Sequence, residues 1–467
     1  MKIQFCGAAR TVTGSSHLLI LDNGYKILLD CGLFQGQDAY KNDSNQNFLF
    51  KPSEINTLIL SHAHIDHAGR IPKLVAEGFT GRIICTNATT DLANIMLRDS
   101  AHIQEKDTQY FNKKRAKKNL EPLLPLYTVE QAEKSLKQFV SINYEEWFTV
   151  TDGVQVLLRD NGHILGSGSV NLKIKEGERE IKIAFTGDIG RPNRPILKDP
   201  MHMNDADIVI SESTYGGRIH ESFPDDTEHF YKVIKETCID RKGKIIIPAF
   251  SIGRTQEIVY MLDKLYHEKN LDFIPVFVDS PLSTNATEIY RRHPECFDEE
   301  INQYLKTDSN PFGFNNLQYI TEVEQSKALN FREGPAIIIS ASGMAEAGRI
   351  VHHIANNISD EKNTMLIVGY CAKGSLGERI RSGEKTLKLF GEEIKVNARV
   401  EIMDSFSAHG DQKEMLDFLD NLNRSETQRM YLVHGDYEDG QLPFKKCLEE
   451  KGFQNILIPE KGMVETV

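Results

Sequence analysis

The chain lacks the marks of several protein classes. Its seven cysteines, scattered from Cys6 to Cys447, form no CxxC pair and no disulfide framework, which points to a reducing compartment, the cytoplasm. The amino-terminal MKIQFCGAARTVTGSS has no continuous apolar stretch and no cleavage pattern, so no secretory signal is read there. No apolar run approaches the roughly 20 residues that a membrane helix needs, and no membrane partner is expected. Positive charge is also short: 55 Lys and Arg stand against 67 Asp and Glu, a net charge of −12. A general basic surface for nucleic acid is therefore excluded, and a polyanion would need a local site. Internal repeats of fixed period and low-complexity linkers are absent too.

What is present describes an ordinary globular chain, 40% hydrophobic and 26% charged, long enough at 467 residues for two or three domains. Early short strands read as KIQFCGAA, SHLLILDNGYKILLDCG and INTLILSH, with Asn23-Gly24 as a hairpin signal. From Thr89 to about Gln138 the pattern is helical and polar. It includes KKRAKK at 113–118, which reads first as a solvated helix face and second as a nucleic-acid patch. Strands return at VQVLLRD, SVNLKIKEG and REIKIAFTGD. After ADIVISESTYGG the runs KGKIIIPAF, IPVFVDSPL, GPAIIISASGM and NTMLIVGYC alternate with helical sequence, which predicts a mainly parallel sheet flanked by helices.

The densest chemistry is SHAHIDHAGR, where an apolar strand runs into His62, His64, Asp66 and His67. Neutral imidazole and carboxylate suit zinc and similar divalent ions. Four such groups could close one structural site. His163 in NGHILGSGS, Asp188 in FTGDIG and His434 in YLVHGD each follow a strand and argue for more. Seven donors are too many for one tetrahedron and suit two ions sharing a carboxylate, with Asp188 as the bridge.

These stretches resemble a family. SHAHIDHAG, NGHILGSGS and FTGDIG are similar to motifs of the metallo-β-lactamase superfamily. SESTYGG, PAFSIGRTQE, SASGMAEAGR, DSFSAHGD and YLVHGD resemble its β-CASP branch of nucleic-acid-processing nucleases, over nearly the whole chain. The resemblance implies an α/β fold: an αββα sandwich (1–214 and, returning, 396–467) interrupted by a β-CASP domain (215–395), with the active site in the cleft between them. It implies that His62, His64 and His163 bind one ion, that Asp66, His67 and His434 bind the other, and that Asp188 is shared. The ions would be zinc, with manganese as the alternative. Asp30 in ILLDCG would support the site without ligating.

The activity implied is hydrolysis of single-stranded RNA to 5′-phosphate and 3′-hydroxyl ends, through a water activated between the ions. The candidate catalytic groups are Asp66, His409 and Glu212, with His409 as general acid held by Glu212. Ser251, Arg254, Ser342, Gly343 and Lys373 are candidate substrate-binding residues. Ser342 and Gly343 sit at a strand-to-helix turn whose N–H groups could cradle phosphate, and Arg254 could either fork onto phosphate or pair with an acidic neighbour. A DNA nuclease of the same branch, a thioester-type hydrolase and an inactive scaffold are the rival readings, and a homodimer stays open as the assembly.

Overall fold

The computed structural model describes every residue except 37, 40–43, 221–225, 370, 372–373 and 404–406. The chain divides into two compact units. The first comprises Met1–Arg194, Lys198–Ile219 and His409–Val467, and the second Pro195–Leu197 and His220–Ala408.

Strand alternation builds the first unit. Along Gly168–Glu176, Val170, Leu172 and Ile174 are buried while Lys173 and Glu176 are only partly covered and Lys175 is exposed, the period-2 pattern of a sheet with one face in a core. Two seven-stranded sheets arise in this way. One is ordered Val464–Thr466, Lys2–Gly7, Ser16–Ile20, Lys26–Leu29, Thr57–Ile59, Arg82–Thr86, Phe139–Ile142. The other is ordered Ile456–Leu457, Arg429–Leu432, Ile208–Ser211, Arg179–Phe185, Gly168–Glu176, Val154–Asp160, Phe148–Thr151. Their inner faces share one core, in which Ile3, Phe5, Leu19, Ile27 and Leu29 of the first sheet join Leu158, Leu172, Ile183, Phe185 and Ile210 of the second. Helices Ile71–Ala76, Asn87–Ala116 and Val129–Leu136 accompany the first sheet's parallel half, and Leu442–Glu450 connects two parallel strands of the second. The unit is an αββα sandwich.

Direction matters for the site. Thr57–Ile59, Val154–Asp160, Arg179–Phe185, Ile208–Ser211 and Arg429–Leu432 are each followed within three residues by a metal-ligating or acidic side chain. Parallel pairing of Arg179–Phe185 with Ile208–Ser211, and of that strand with Arg429–Leu432, aligns three of these carboxyl ends.

The second unit carries an all-parallel six-stranded sheet, ordered Leu317–Tyr319, Val276–Asp279, Ala336–Ser340, Lys244–Pro248, Thr364–Val368, Arg399–Met403. KIIIP, AIIIS and TMLIV are buried throughout, as strands covered on both faces must be. Arg399–Met403 pairs in register with Thr364–Val368, and the first unit resumes at His409.

Phe185 is buried in the sandwich core and meets the His17 ring edge-on at 5.6 Å. Phe185→Ala should cost about 3–5 kcal/mol, read as an earlier unfolding transition of the first unit in a urea titration followed by circular dichroism.

Candidate metal centre

The loop after Thr57–Ile59 is held by its own backbone. Ile65, Asp66 and His67 offer their carbonyls to the N–H groups of Leu33, Ser15 and Cys31, at 2.9, 2.8 and 2.7 Å. The approach is so close that a Cβ on Gly32 would lie 1.5 Å from the Asp66 carbonyl oxygen, so only glycine fits there. His64 sits at the amino-terminal cap of the short helix Ile65–Ala68, which turns Asp66 and His67 to the same side.

Two donor sets converge on one carboxylate. In the first, His62 Nε2 and His163 Nε2 lie 3.2 and 3.1 Å from His64 Nδ1, and both lie 3.4 Å from Asp188 Oδ2. In the second, His67 Nε2 and His434 Nε2 are 3.1 Å apart and lie 3.2 and 3.5 Å from Asp188 Oδ1, while Asp66 Oδ2 is 3.4 Å from His434 Nε2 and 4.0 Å from His67 Nε2. A tetrahedral ion with bonds of about 2.0–2.1 Å has donor–donor edges of about 3.3–3.4 Å, so both sets fit a divalent ion. Asp188 Oδ1, buried and without a hydrogen-bond partner, is the kind of orphan that such an ion satisfies.

The outward ring nitrogens explain why the inward ones are free to ligate. His67 Nδ1–H donates to Asp30 Oδ2 at 2.7 Å, and Asp30 also accepts from Ser15 Oγ, Ser61 Oγ and the Ser61 N–H at 3.0, 3.0 and 2.8 Å. His62 Nδ1 bonds Ser61 Oγ at 3.1 Å, and His434 Nδ1 bonds Thr214 Oγ1 at 2.9 Å. Each partner sets the tautomer and leaves an Nε2 lone pair pointing into the cluster.

Electrostatics agrees. Burial pushes His62 and His163 well below their usual values and His64 to about 4, which keeps these three imidazoles neutral and able to ligate at neutral pH. Burial opposes charge on His67 as well, but Asp188, Asp30 and Asp66 outweigh it and raise the group. Surrounding imidazoles overcome burial at Asp188 and hold its carboxyl well below the usual range.

Beside the cluster, His409 Nδ1 faces both oxygens of Glu212 at 3.2 and 3.3 Å, and its Nε2 lies 3.8 Å from Asp188 Oδ2. Burial disfavours the imidazolium, yet Glu212 and Asp188 raise His409 to about 9. Glu212 is itself fixed by the Ile189 N–H.

Of the substrate-binding candidates, Ser251, Ser342 and Gly343 follow adjacent strands of the second unit's sheet. Ser251 Oγ is 3.3 Å from Ser280 Oγ, and Ser342 Oγ donates to the Ala347 carbonyl at 3.4 Å. Arg254 is buried against Glu257, the acidic neighbour. Lys373 lies outside the described residues. Sequence reasoning passed over Ser15, Ser61 and Thr214. Their one signal is adjacency: Ser61 precedes His62, and Thr214 follows Glu212 by two residues.

An αββα sandwich that delivers two sets of His and Asp donors around one shared carboxylate defines a metallohydrolase-type centre. Family models for the metallo-beta-lactamase superfamily match residues 10–248, for the Beta-Casp domain 255–380, and for the Zn-dependent metallo-hydrolase RNA specificity domain 393–459. The chain belongs to the metallo-β-lactamase superfamily, in its β-CASP branch. It is 34% identical to ribonuclease TTHA0252 of Thermus thermophilus, covering 97% of each chain. It is 29% identical to transcription termination factor FttA of Methanocaldococcus jannaschii (96% of this chain, 68% of the relative) and to cleavage and polyadenylation specificity factor 73 of Drosophila melanogaster (94% and 60%). A protein of unknown function from Enterococcus faecalis has the same fold at 11% identity, with a TM-score of 0.53 over 100% of this chain and 99% of that one.

Asp30→Asn should weaken metal binding about 10–100-fold, because it removes the carboxylate that orients His67. Competition with a chromogenic chelator measures the loss; unchanged affinity would deny Asp30 that part.

Proposed function

We propose that the chain is a metal-dependent ribonuclease that hydrolyses RNA phosphodiester bonds and leaves 5′-phosphate and 3′-hydroxyl ends. The observation that carries this reading is the His409–Glu212 pair set against a carboxylate shared by two donor sets. The relatives are named a ribonuclease, a termination factor and a cleavage factor, which favours RNA as substrate.

His62, His64 and His163 would hold one divalent ion, Asp66, His67 and His434 a second, and Asp188 both. Zinc is our reading of the metal, with manganese as the alternative. A pair of such ions would supply Lewis acidity toward the phosphoryl oxygens and would lower the pKa of a bound water.

The chain's own groups do the rest. Glu212 accepts the Nδ1 proton of His409 and keeps Nε2–H directed at the cluster. The attacking water gives one proton to solvent; as its oxygen bonds to phosphorus and the P–O3′ bond breaks, His409 Nε2 gives its proton to the departing 3′-oxygen. Asp66 orients the second donor set through its approach to His434. Ser251, Ser342, the Gly343 N–H and Arg254, whose guanidinium also meets Glu257, are our candidates for backbone phosphates. No helix among the described residues is long and apolar enough to cross a membrane. Seven cysteines with no disulfide framework in their spacing fit a reducing cytoplasm as the place of work.

His409→Ala should lower the cleavage rate by about 10²–10⁴-fold while metal content stays at the wild-type level. End-labelled single-stranded RNA incubated with zinc or manganese, with product ends mapped, reads the first, and elemental analysis the second. Wild-type rates in the variant would remove the general-acid role, and cleavage of DNA alone would overturn the substrate.

A further inference from the structure

The helix Asn87–Ala116 begins at the centre and ends far from it. Its capping Thr86 and its Thr89 both donate to the Gly166 carbonyl, at 2.6 and 2.7 Å, and so brace the loop that carries His163. Its last fully buried residue is Ala101. From there the helix runs another fifteen residues to Ala116, about 22 Å, and no residue from 102 to 126 is buried. The chain regains the unit at Tyr127, buried and bonded through its hydroxyl to Ser100 Oγ at 2.8 Å.

This arm is an ordered structure. Asn112 clasps the returning chain twice, Nδ2 donating to the Leu123 carbonyl at 2.9 Å and Oδ1 accepting from the Leu123 N–H at 2.7 Å. Arg115 Nε donates to the Glu121 carbonyl at 2.6 Å. A solvated helix of this length is marginal by itself, and these clasps hold its tip in one shape.

The tip has the chemistry of a single-strand binder. Tyr110 and Phe111 stand 56% and 51% exposed, their rings edge to face at 5.8 Å. Lys113, Lys114, Arg115, Lys117 and Lys118 follow them within eight positions, with Glu121 beyond and Asp107 one turn before, in a chain whose net charge is −12. Lys114 Nζ sits 4.2 Å over the Tyr110 ring. Helix carboxyl ends favour cations in the last turn, which accounts for Lys113, Lys114 and Arg115. It does not account for Lys117 and Lys118, which lie beyond the helix, nor for two aromatic rings more than half exposed. Cations that neutralise phosphates, interleaved with flat rings that stack on bases, bind single strands without reading sequence.

We infer that the arm at residues 110–118 is a second RNA-binding site, one that holds the single-stranded substrate away from the point of cutting. The inference rests on the ribonuclease reading for its ligand. The whole helix, thirty residues, spans about 45 Å from the His163 loop to the tip. At the roughly 3.4 Å rise of a base-stacked strand about 13 nucleotides engage both, and fewer when the strand is extended. Short RNA therefore meets the centre alone, and long RNA meets both.

The test compares wild type with a variant carrying Lys113→Gln, Lys114→Gln, Lys117→Gln and Lys118→Gln, all at exposed positions, and with Tyr110→Ala/Phe111→Ala. On RNA of about 30 nucleotides the lysine variant should show a KM raised about tenfold with kcat unchanged. On RNA of about 6 nucleotides both parameters should match wild type. Binding of a cleavage-resistant phosphorothioate 30-mer, followed by fluorescence anisotropy, should lose about 3 from its log–log salt slope, at about 0.7 per cation removed. The aromatic variant should weaken that binding and leave the slope nearly intact. Equal 30-mer binding by wild type and both variants would overturn the inference whether or not RNA is cut. So would unchanged RNA affinity with a shift to a smaller species in gel filtration, which would assign the arm to contact with a second copy. Wild type that binds the 30-mer but cuts neither RNA would sink the ribonuclease reading while the arm stands.

Discussion

Asp188 is the group on which the rest of the centre depends. Its carboxylate is buried, and its two oxygens face different imidazole sets, Oδ2 toward His62 and His163, Oδ1 toward His67 and His434. A buried carboxylate is costly unless countercharge or donors surround it. Four imidazole nitrogens within 3.5 Å supply part of that, but lone pairs facing inward cannot satisfy one another. The arrangement makes physical sense around positive ions, and the neutral state that burial imposes on His62, His64 and His163 is the state in which imidazole ligates.

The sandwich exists, for this purpose, to stop strands in the right place. Parallel neighbours end in step, so the residues after Arg179–Phe185, Ile208–Ser211 and Arg429–Leu432 fall side by side. That is how Asp188, Glu212 and His434, distant in sequence, come within 4.8 Å of one another through their ligating atoms. Around them runs a second layer of hydroxyls and Asp30, which orients the rings of His62, His67 and His434. Asp30 and His434 both take positive φ, 57° and 48°. Backbone of that kind costs energy and persists where surrounding contacts over-determine it. Here the contacts are the Asp30 bonds to Ser15, Ser61 and His67, and the His434 N–H bond to the Ala8 carbonyl at 2.7 Å.

Much of this was legible in the linear chain, unevenly. INTLILSHAHIDHAG reads as strand, donors and helix because the apolar run and the polar cluster touch in sequence. KIIIP, AIIIS and TMLIV read as covered parallel strands because a strand with no polar side must be buried on both faces. Arg254 was legible only as a choice between phosphate and a carboxylate, and in the fold its guanidinium lies against Glu257. Ser61 and Thr214 were not legible as ring partners. A hydroxyl has no such role until a particular Nδ1 lies beside it, and Thr214 meets His434 across 220 residues of chain.

The sequence by itself therefore determined the donor types, the strand ends that carry them and the family they announce, because periodicity and side-chain chemistry are local properties. Only the tertiary structure decided which nitrogen of each ring faces inward, that Asp188 divides its oxygens between two sets, and that residues 102–126 stand clear of the core as an arm. Those depend on strand register and on contacts between distant segments, and nothing in the order of residues states a distance.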